Sequence, residues 1–472
     1  MRAPIVIAML LLAAAAQAQR SWTLELCIQR AEERNLAMLN AGLDAGLAEQ
    51  AREQAWWDLA PSLNGGATHG YNFGRVIDRY TNTFADQRVQ TDNFYLSSTI
   101  SLFEGLRKQA AIKRAELDAE AAAKGVEAAR NNVRLEVVQA FLDALGLRER
   151  LAAAEAQVAA TRGQVERSAL LVEAGRIARA DLLALESQLA QEEYTAADLA
   201  NQRDQRLLAL ARAMQLTPQE YAAFVIEAPA ISGLRIMEPT ADPEQVLEAA
   251  LRRNPAFAQA ELQAGSAERS LAASKAARMP SLSLNGSLGT GYSGRNFRQV
   301  GDPVLGPPLL IGATAGGEYV YTPSYTYRTE LTPFATQLDQ NLNKSIGFTL
   351  NVPLFNNMRN RYAVDQARVQ QLKSQNAVTG VRNDLQRNVL DAIVAQRAAY
   401  RQYKAAEKAV EAAELNARYA DERFMQGAGT SIELAAAKAT ANRSTADLIA
   451  AKYRYLMAQK YLEILQGYPV TL

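Results

Sequence analysis

Two hydrophobic periods alternate along this chain, and each appears twice. Val133, Val137, Ala140, Ala144, Leu147, Leu151, Ala154 and Val158 are spaced by alternating steps of four and three. That is a heptad seam, the mark of a long helix packed on a neighbour. Leu135, Val138, Leu142 and Leu145 form a second seam beside it, so the helix can pack on two sides. Leu385, Val389, Ala392, Ala399, Tyr403, Ala406 and Val410 repeat the pattern, with Gln396 as an intruder. Between the helical stretches the period falls to two. Ile346, Phe348, Leu350, Val352 and Leu354 alternate with Ser345, Gly347, Thr349 and Asn351, and Phe94, Leu96, Ile100 and Leu102 alternate with Asn93, Ser97, Thr99 and Ser101. Leu282, Leu284, Leu288 and Tyr292 do the same among serines and Asn285. Such alternation predicts strands with one apolar and one polar face, at about 62–75, 92–103, 281–292 and 344–355.

The remaining elements follow from punctuation. A helix is predicted over Thr23–Leu59, with Thr23 as N-cap and Pro61 beyond its end, and its partner over Pro243–Arg278, stopped by Pro280. Long helices are predicted from about Leu106 to Val172 and again in the second half, the first about 100 Å long at 1.5 Å per residue. A turn and a helix over Ala180–Leu216 follow. The connection between the first two strands, Val76–Gln90, is short. That between the last two, Ser293–Asn343, is rich in Gly, Pro, Tyr and Thr and reads as an extended loop.

These elements form two copies of one plan. Asn35 and Pro61 recur as Asn254 and Pro280, 219 positions on (254 − 35). Phe103, Gly175 and Asp181 recur as Phe355, Gly427 and Glu433, 252 positions on (355 − 103). The change of register places an insertion of 33 residues (252 − 219) between the third and fourth strands. The expected organisation is a first repeat over 19–216, a linker over 217–242 with a short strand near Phe224–Ile226, a second repeat over 243–466 and a tail over 467–472.

Composition narrows the function. Arg2, the apolar run Ile5–Ala16 and the small-x-small site Ala16-Gln17-Ala18 predict a secretory signal peptide over 1–18. The later chain has no run of the roughly 18 apolar residues that a membrane-spanning helix needs. A net charge of +1 with dispersed basic residues gives no nucleic-acid face. One cysteine, Cys27, and one histidine, His69, leave no basis for a disulfide or a His/Cys metal site, and no cofactor motif is found. No nucleotide loop, serine elbow or histidine triad suggests an enzyme. The strands suit either a membrane barrel or a soluble sandwich with its apolar face inward.

Taken together, the signal peptide, the doubled helix–strand–strand–helix–helix plan, "PSL" opening the first strands, "SLFEG" and "VPLFNN" closing the second, and "EAG" and "MQG" before the acids resemble the TolC-like outer-membrane efflux factors. The resemblance covers the mature chain. It implies a mainly α fold with a β-barrel portion: a homotrimer whose strands form one outer-membrane barrel, continued by a periplasmic α-helical tunnel. It also implies a passive exit duct for an efflux pump or type I secretion system, with a periplasmic adaptor, an inner-membrane transporter and outer-membrane lipid as partners. A periplasmic or surface coiled-coil scaffold is the alternative.

The resemblance places the entrance at the helix–turn–helix tips, with Gly175, Gly427 and Gly429 in the turns and Asp181, Glu433, Arg176 and Arg179 around them. The two acids suit either a charged constriction or simple first-turn capping. Family members with an arginine–acid gate carry the arginine where this chain has Gly429 and a second acid where it has Ala436. Tyr71, Phe73, Phe94, Tyr95 and Tyr292 suit either a membrane-interface aromatic girdle or ordinary strand packing.

Overall fold

The computed structural model describes residues 21–78, 82–85, 88–227, 236–426 and 428–468. The expected signal peptide, Gly427 and the last residues of the tail lie outside these. Two compact units emerge. A helical unit takes the chain up to Ala51, Ala115–Ala267 and the chain from Gln370, while a strand-bearing unit takes Arg52–Arg114 and Glu268–Val369.

The duplication is kept to the residue. In the first copy the helices are α1 (Leu24–Arg34), α2 (Leu36–Trp57), α3 (Arg107–Glu173) and α4 (Arg179–Ala213), with 11, 22, 67 and 35 residues. A short α5 (Pro218–Ala222) follows. In the second copy α6 (Pro243–Arg253) and α7 (Pro255–Ala276) have 11 and 22 residues. After the short α8 (Phe334–Gln340) come α9 (Arg359–Met425) and α10 (Ser431–Leu465), with 67 and 35. Left-handed backbone recurs as well: Gly105 and Leu106 have φ of 63° and 67°, and Asn357 and Met358, 252 positions on, have 55° and 62°. At Gly105 the reason is close approach, because a Cβ there would stand 2.4 Å from the Met279 Cβ. Asn357 takes the same conformation in the second copy, where a short amide side chain tolerates it.

The single first helix expected in each copy is two helices. Asn35 and Asn254 are the C-caps of α1 and α6, with extended backbone. Each also caps the next helix: Asn35 Oδ1 accepts from the Ala37 N–H at 2.8 Å, and Asn254 Oδ1 accepts from Ala256 and Phe257 at 3.0 and 3.1 Å. An asparagine that ends one helix and starts the next accounts for the strongest match between the copies.

The helical core repeats in the same way. One cluster buries Cys27, Ala31, Val133, Val137, Ala140, Phe141, Leu210 and Ala213 among its members. A second is made of Val246, Ala250, Leu385, Val389, Ala392, Ile393, Leu462 and Leu465. The second set is the first shifted by 219 or 252 positions, so residues of the two registers meet in each core. The intruder Gln396 is buried, and its Oε1 has no hydrogen-bond partner among the described residues. The expected short linker strand is β6 (Val225–Ile226), parallel to β1 (Ser21–Trp22). Beside it Thr217 and Glu220 form a capping box, and Arg30 pairs with Glu220. The Thr217 N–H and the arginine hold the Glu220 carboxyl below the usual carboxylate range.

In the strand-bearing unit β2 (Ser62–Asn72), β5 (Val89–Phe103), β7 (Ser281–Ser293) and β12 (Asn343–Asn351) form one antiparallel sheet in the order β12-β7-β5-β2. The fourth strand is shorter than the expected 344–355. It stops at Asn351, two residues before Pro353, which cannot donate to a ladder. The first-copy connection holds the small hairpin β3 (Val76–Asp78) and β4 (Thr83–Ala85). The insertion is no open loop: β8 (Phe297–Leu305) pairs with β11 (Tyr325–Leu331), and β9 (Leu309–Ala313) with β10 (Tyr319–Thr322). Consecutive hydrophobics at Leu309–Ile311 and Tyr319–Tyr321 hide the period-two signal there.

Candidate functional site

The sheet sorts its side chains by face. The register sets Phe348 beside Leu284 and Leu284 beside Ile100, and likewise Leu350 beside Leu282 and Leu288 beside Leu96. These residues share one face. On the other, Thr99 donates to Asn285 at 3.0 Å, Asn285 donates to Thr349 at 2.9 Å, and Ser287 and Ser345 hydroxyls lie 2.7 Å apart. An apolar face backed by a hydrogen-bonded Ser/Thr/Asn face is what a wall between lipid and water requires.

Three of the five expected aromatics lie on the apolar face. Tyr292 pairs with Asp92, whose neighbour two along is Phe94, and Tyr71 pairs with Gln90 on the same side. Phe94 and Tyr292 both meet Phe334 of α8, with ring centroids 6.2 and 5.3 Å apart. Sequence reasoning missed Phe334 because it lies in the insertion. Tyr95 is a correction. Adjacent strand residues point to opposite faces, so Tyr95 joins Asn93 and Ser97, and its ring lies over Gly66, where a Cβ would come within 2.6 Å. Phe73 falls just past the end of β2, exposed. His69, the single histidine, bonds the buried Asp92 carboxylate on the apolar face.

In the helical unit the α3–α4 and α9–α10 hairpins end in matched turns. Gly175, at φ 69°, donates to Val172 O at 2.9 Å, and the Arg176 N–H reaches Leu171 O at 2.8 Å, a left-handed helix stop. Ala428 N–H to Arg423 O, at 2.9 Å, repeats the second bond. A Cβ on Gly429 would stand 3.2 Å from the Phe424 nitrogen and 3.3 Å from the Arg423 Cβ. A side chain at this position would require those neighbours to shift by a few tenths of an ångström.

The two acids take different roles. Glu433 belongs to a capping box with Thr430: its N–H donates to Thr430 Oγ1 at 3.2 Å, and its carboxylate accepts from the Thr430 N–H. Arg423 lies 3.7 Å from it. The helix of Asp181 starts without a side-chain cap, and its carboxylate accepts from the Ser431 hydroxyl at 2.6 Å. That bond ties the start of α4 to the start of α10 across 250 residues. Just inside, Lys438 donates to Gln164 at 3.0 Å and pairs with Asp421 at 3.2 Å. Leu185 and Leu434 are buried at this level, while Arg176 and Arg179 are exposed. The structure thus joins Asp181 to Ser431, which the sequence did not single out, and leaves the two arginines on the surface. The Thr-x-x-Glu spacing at Thr430 was the legible signal for the cap.

The model of the outer membrane efflux protein family matches residues 27–214 and 246–467, one block per copy. The chain belongs to this family. Solved structures with the same fold include a membrane protein from Pseudomonas aeruginosa, at TM-score 0.76 and 19% identity over 96% of this chain and 93% of that one. The CmeC outer membrane channel of Campylobacter jejuni gives 0.78 and 15% over 94% and 85%. VceC of Vibrio cholerae gives 0.76 and 16% over 94% and 96%. No individual curated protein matches the chain. The boundary between the family blocks falls on the linker between the two copies.

Proposed function

We propose that three copies of this efflux protein close one barrel and form the passive exit duct of a tripartite pump or type I secretion system. The observation that carries this reading is the pair of open sheet edges. β12 and β2 are both edge strands, and unpaired edges are not tolerated in lipid. The two edges run antiparallel to each other, so β12 of one copy can pair with β2 of the next in a head-to-tail ring. Two copies would give eight strands, whose interior side chains fill. Three give twelve and leave a lumen, in agreement with the family resemblance. Run unheated on a denaturing gel, the membrane-extracted protein should migrate as a trimer that heat converts to monomer. A monomer soluble without detergent would favour a scaffold and overturn the duct.

The periplasmic adaptor and the inner-membrane transporter supply contact and energy in this reading. A groove of about 870 Å³ between α3, α4 and α10, floored by Ala153, Ala154, Ala184, Ala435 and Ala439, supports a docking place for an adaptor helix, because small residues let helices approach closely. The tips are the entrance, held shut in part by the Ser431–Asp181 bond. The double variant Asp181→Asn, Glu433→Gln keeps both local acceptors and removes two charges per copy. In planar bilayers it should lower the cation-to-anion permeability ratio about threefold or more, as expected when a ring of charge is neutralised at a constriction. An unchanged ratio removes these acids from the entrance.

A further inference from the structure

The insertion that distinguishes the second copy ends in a hairpin with no polar side. From Pro307 to Thr322 Glu318 is the single charged residue. Tyr321 pairs with Leu310, Val320 with Gly312 and Tyr319 with Ala313. Leu309, Leu310 and Ile311 are consecutive, as are Tyr319, Val320 and Tyr321, so both faces of this pair are apolar. All six are exposed in the single chain. The proximal pair differs: Arg298 bonds Glu330 at 2.5 Å, and Arg328 and Asp302 lie on the same two strands. The proximal pair also exposes Val304, Leu305 and Tyr325, but there they share their strands with charged residues, whereas the two distal strands carry no charge at all.

The base of the hairpin is fixed. Gln337, fully buried, donates to Ser293 O at 3.1 Å and Thr332 O at 2.9 Å and accepts from the Ser293 N–H at 2.9 Å. Asn341 donates to Gly291 O at 2.8 Å, and Gly294 N–H to Gln90 O at 2.9 Å. These bonds tie the insertion to β7 and β5, at the end of the sheet opposite the strand-to-helix junctions. In an outer-membrane channel that end faces the exterior. A two-faced apolar hairpin there, held beyond a charged segment, is an aggregation hazard unless something covers it.

We infer that the distal hairpins of the assembled copies cover one another, Leu310 and Tyr321 of each packing on those of its neighbours, and form a collar over the outer mouth. The inference rests on closure of the barrel by copies of this chain. Its reach is sufficient. A twelve-stranded barrel with strands about 4.8 Å apart and tilted about 40° has a backbone radius of roughly 12 Å. The nine residues of β8 alone extend roughly 30 Å at about 3.3 Å each. The edge strand β12 follows the insertion directly, so the pairing that closes the ring also brings neighbouring hairpins to one rim.

Cysteine cross-linking in intact outer membranes tests this. The native Cys27 is silent, since burial and the nearby Glu25 push its thiol up to about 12. A disulfide needs Cα atoms within about 7 Å. Tyr321→Cys should convert most chains to a disulfide-linked dimer under mild oxidation, at least fivefold more than Arg298→Cys at the base of the hairpin. A closure control carries Asn64→Cys and Thr349→Cys on the two sheet edges, bridged by a short bis-maleimide. Replacing Leu309–Tyr321 with a Gly-Ser turn should raise single-channel conductance at least twofold. If the edge pair bridges, but Tyr321→Cys links no better than Arg298→Cys and conductance is unchanged, the collar is overturned and barrel closure stands. If the edge pair fails as well, the closure reading falls and takes the collar with it.

Discussion

Phe348→Arg is expected to abolish the membrane-inserted oligomer, whereas Thr349→Arg, one residue on, leaves it assembled. Phe348 lies on the apolar face of β12 between Leu284 and the unpaired edge, 69% exposed in the single chain. In the closed barrel that surface faces lipid. An arginine at the middle of such a face costs about 2–4 kcal/mol per copy, and a trimer carries it three times. Thr349 points the other way, into the row shared with Asn285. An arginine there gives up one hydrogen bond and projects into water, so it should change conductance and ion preference without preventing assembly. Heat-modifiable migration of the extracted protein reads the first outcome and bilayer recording the second. Assembly of both variants, or of neither, would show that the faces are misassigned.

The second large effect lies in the helical unit. Among the described residues Phe141 is the largest fully buried side chain, in one cluster with Val137, Val138, Leu142 and Leu145 of the same helix and Leu24, Leu210 and Tyr455 of others. Phe141→Ala removes a ring that the surrounding helices cannot replace by collapse. A loss of about 3–5 kcal/mol is expected, read as a lower midpoint in thermal or urea unfolding at fixed protein concentration. Leu183→Ala, on an exposed surface of α4, serves as the comparison and should change stability by less than about 0.5 kcal/mol. In the second copy the equivalent position is Ile393. The first-copy core therefore depends more on a single aromatic ring, and the larger loss belongs to it.

Much of the candidate site was legible because it depends on neighbours in sequence. The heptad residues of α3 and α9, the glycine stop at Gly175 and the Thr430–Glu433 box are all settled within one or two helical turns. The assignment of Tyr95 to the membrane face broke a rule already visible in the chain: Phe94 and Tyr95 are adjacent in a strand and cannot share a face. The break at Asn35 was harder to see. The residues on both sides favour helix, and the side chain that caps α2 looks in sequence like any other polar surface residue. The hairpins of the insertion escaped for a different reason, since a strand pair apolar on both faces carries no alternation.

By itself the sequence determined the duplication, the extent of the long helices, the two-faced character of the sheet and the family, because each follows from a period or a cap that repeats at a fixed offset. The tertiary structure alone decided that residues of the 219 and 252 registers meet in two equivalent cores, that Glu433 is engaged as a cap, and that Asp181 is bonded to Ser431. It also decided that the sheet has open edges and that the insertion is anchored through Gln337. These contacts join residues far apart in the chain, and which of many exposed polar groups becomes a partner is set by packing that no local pattern records.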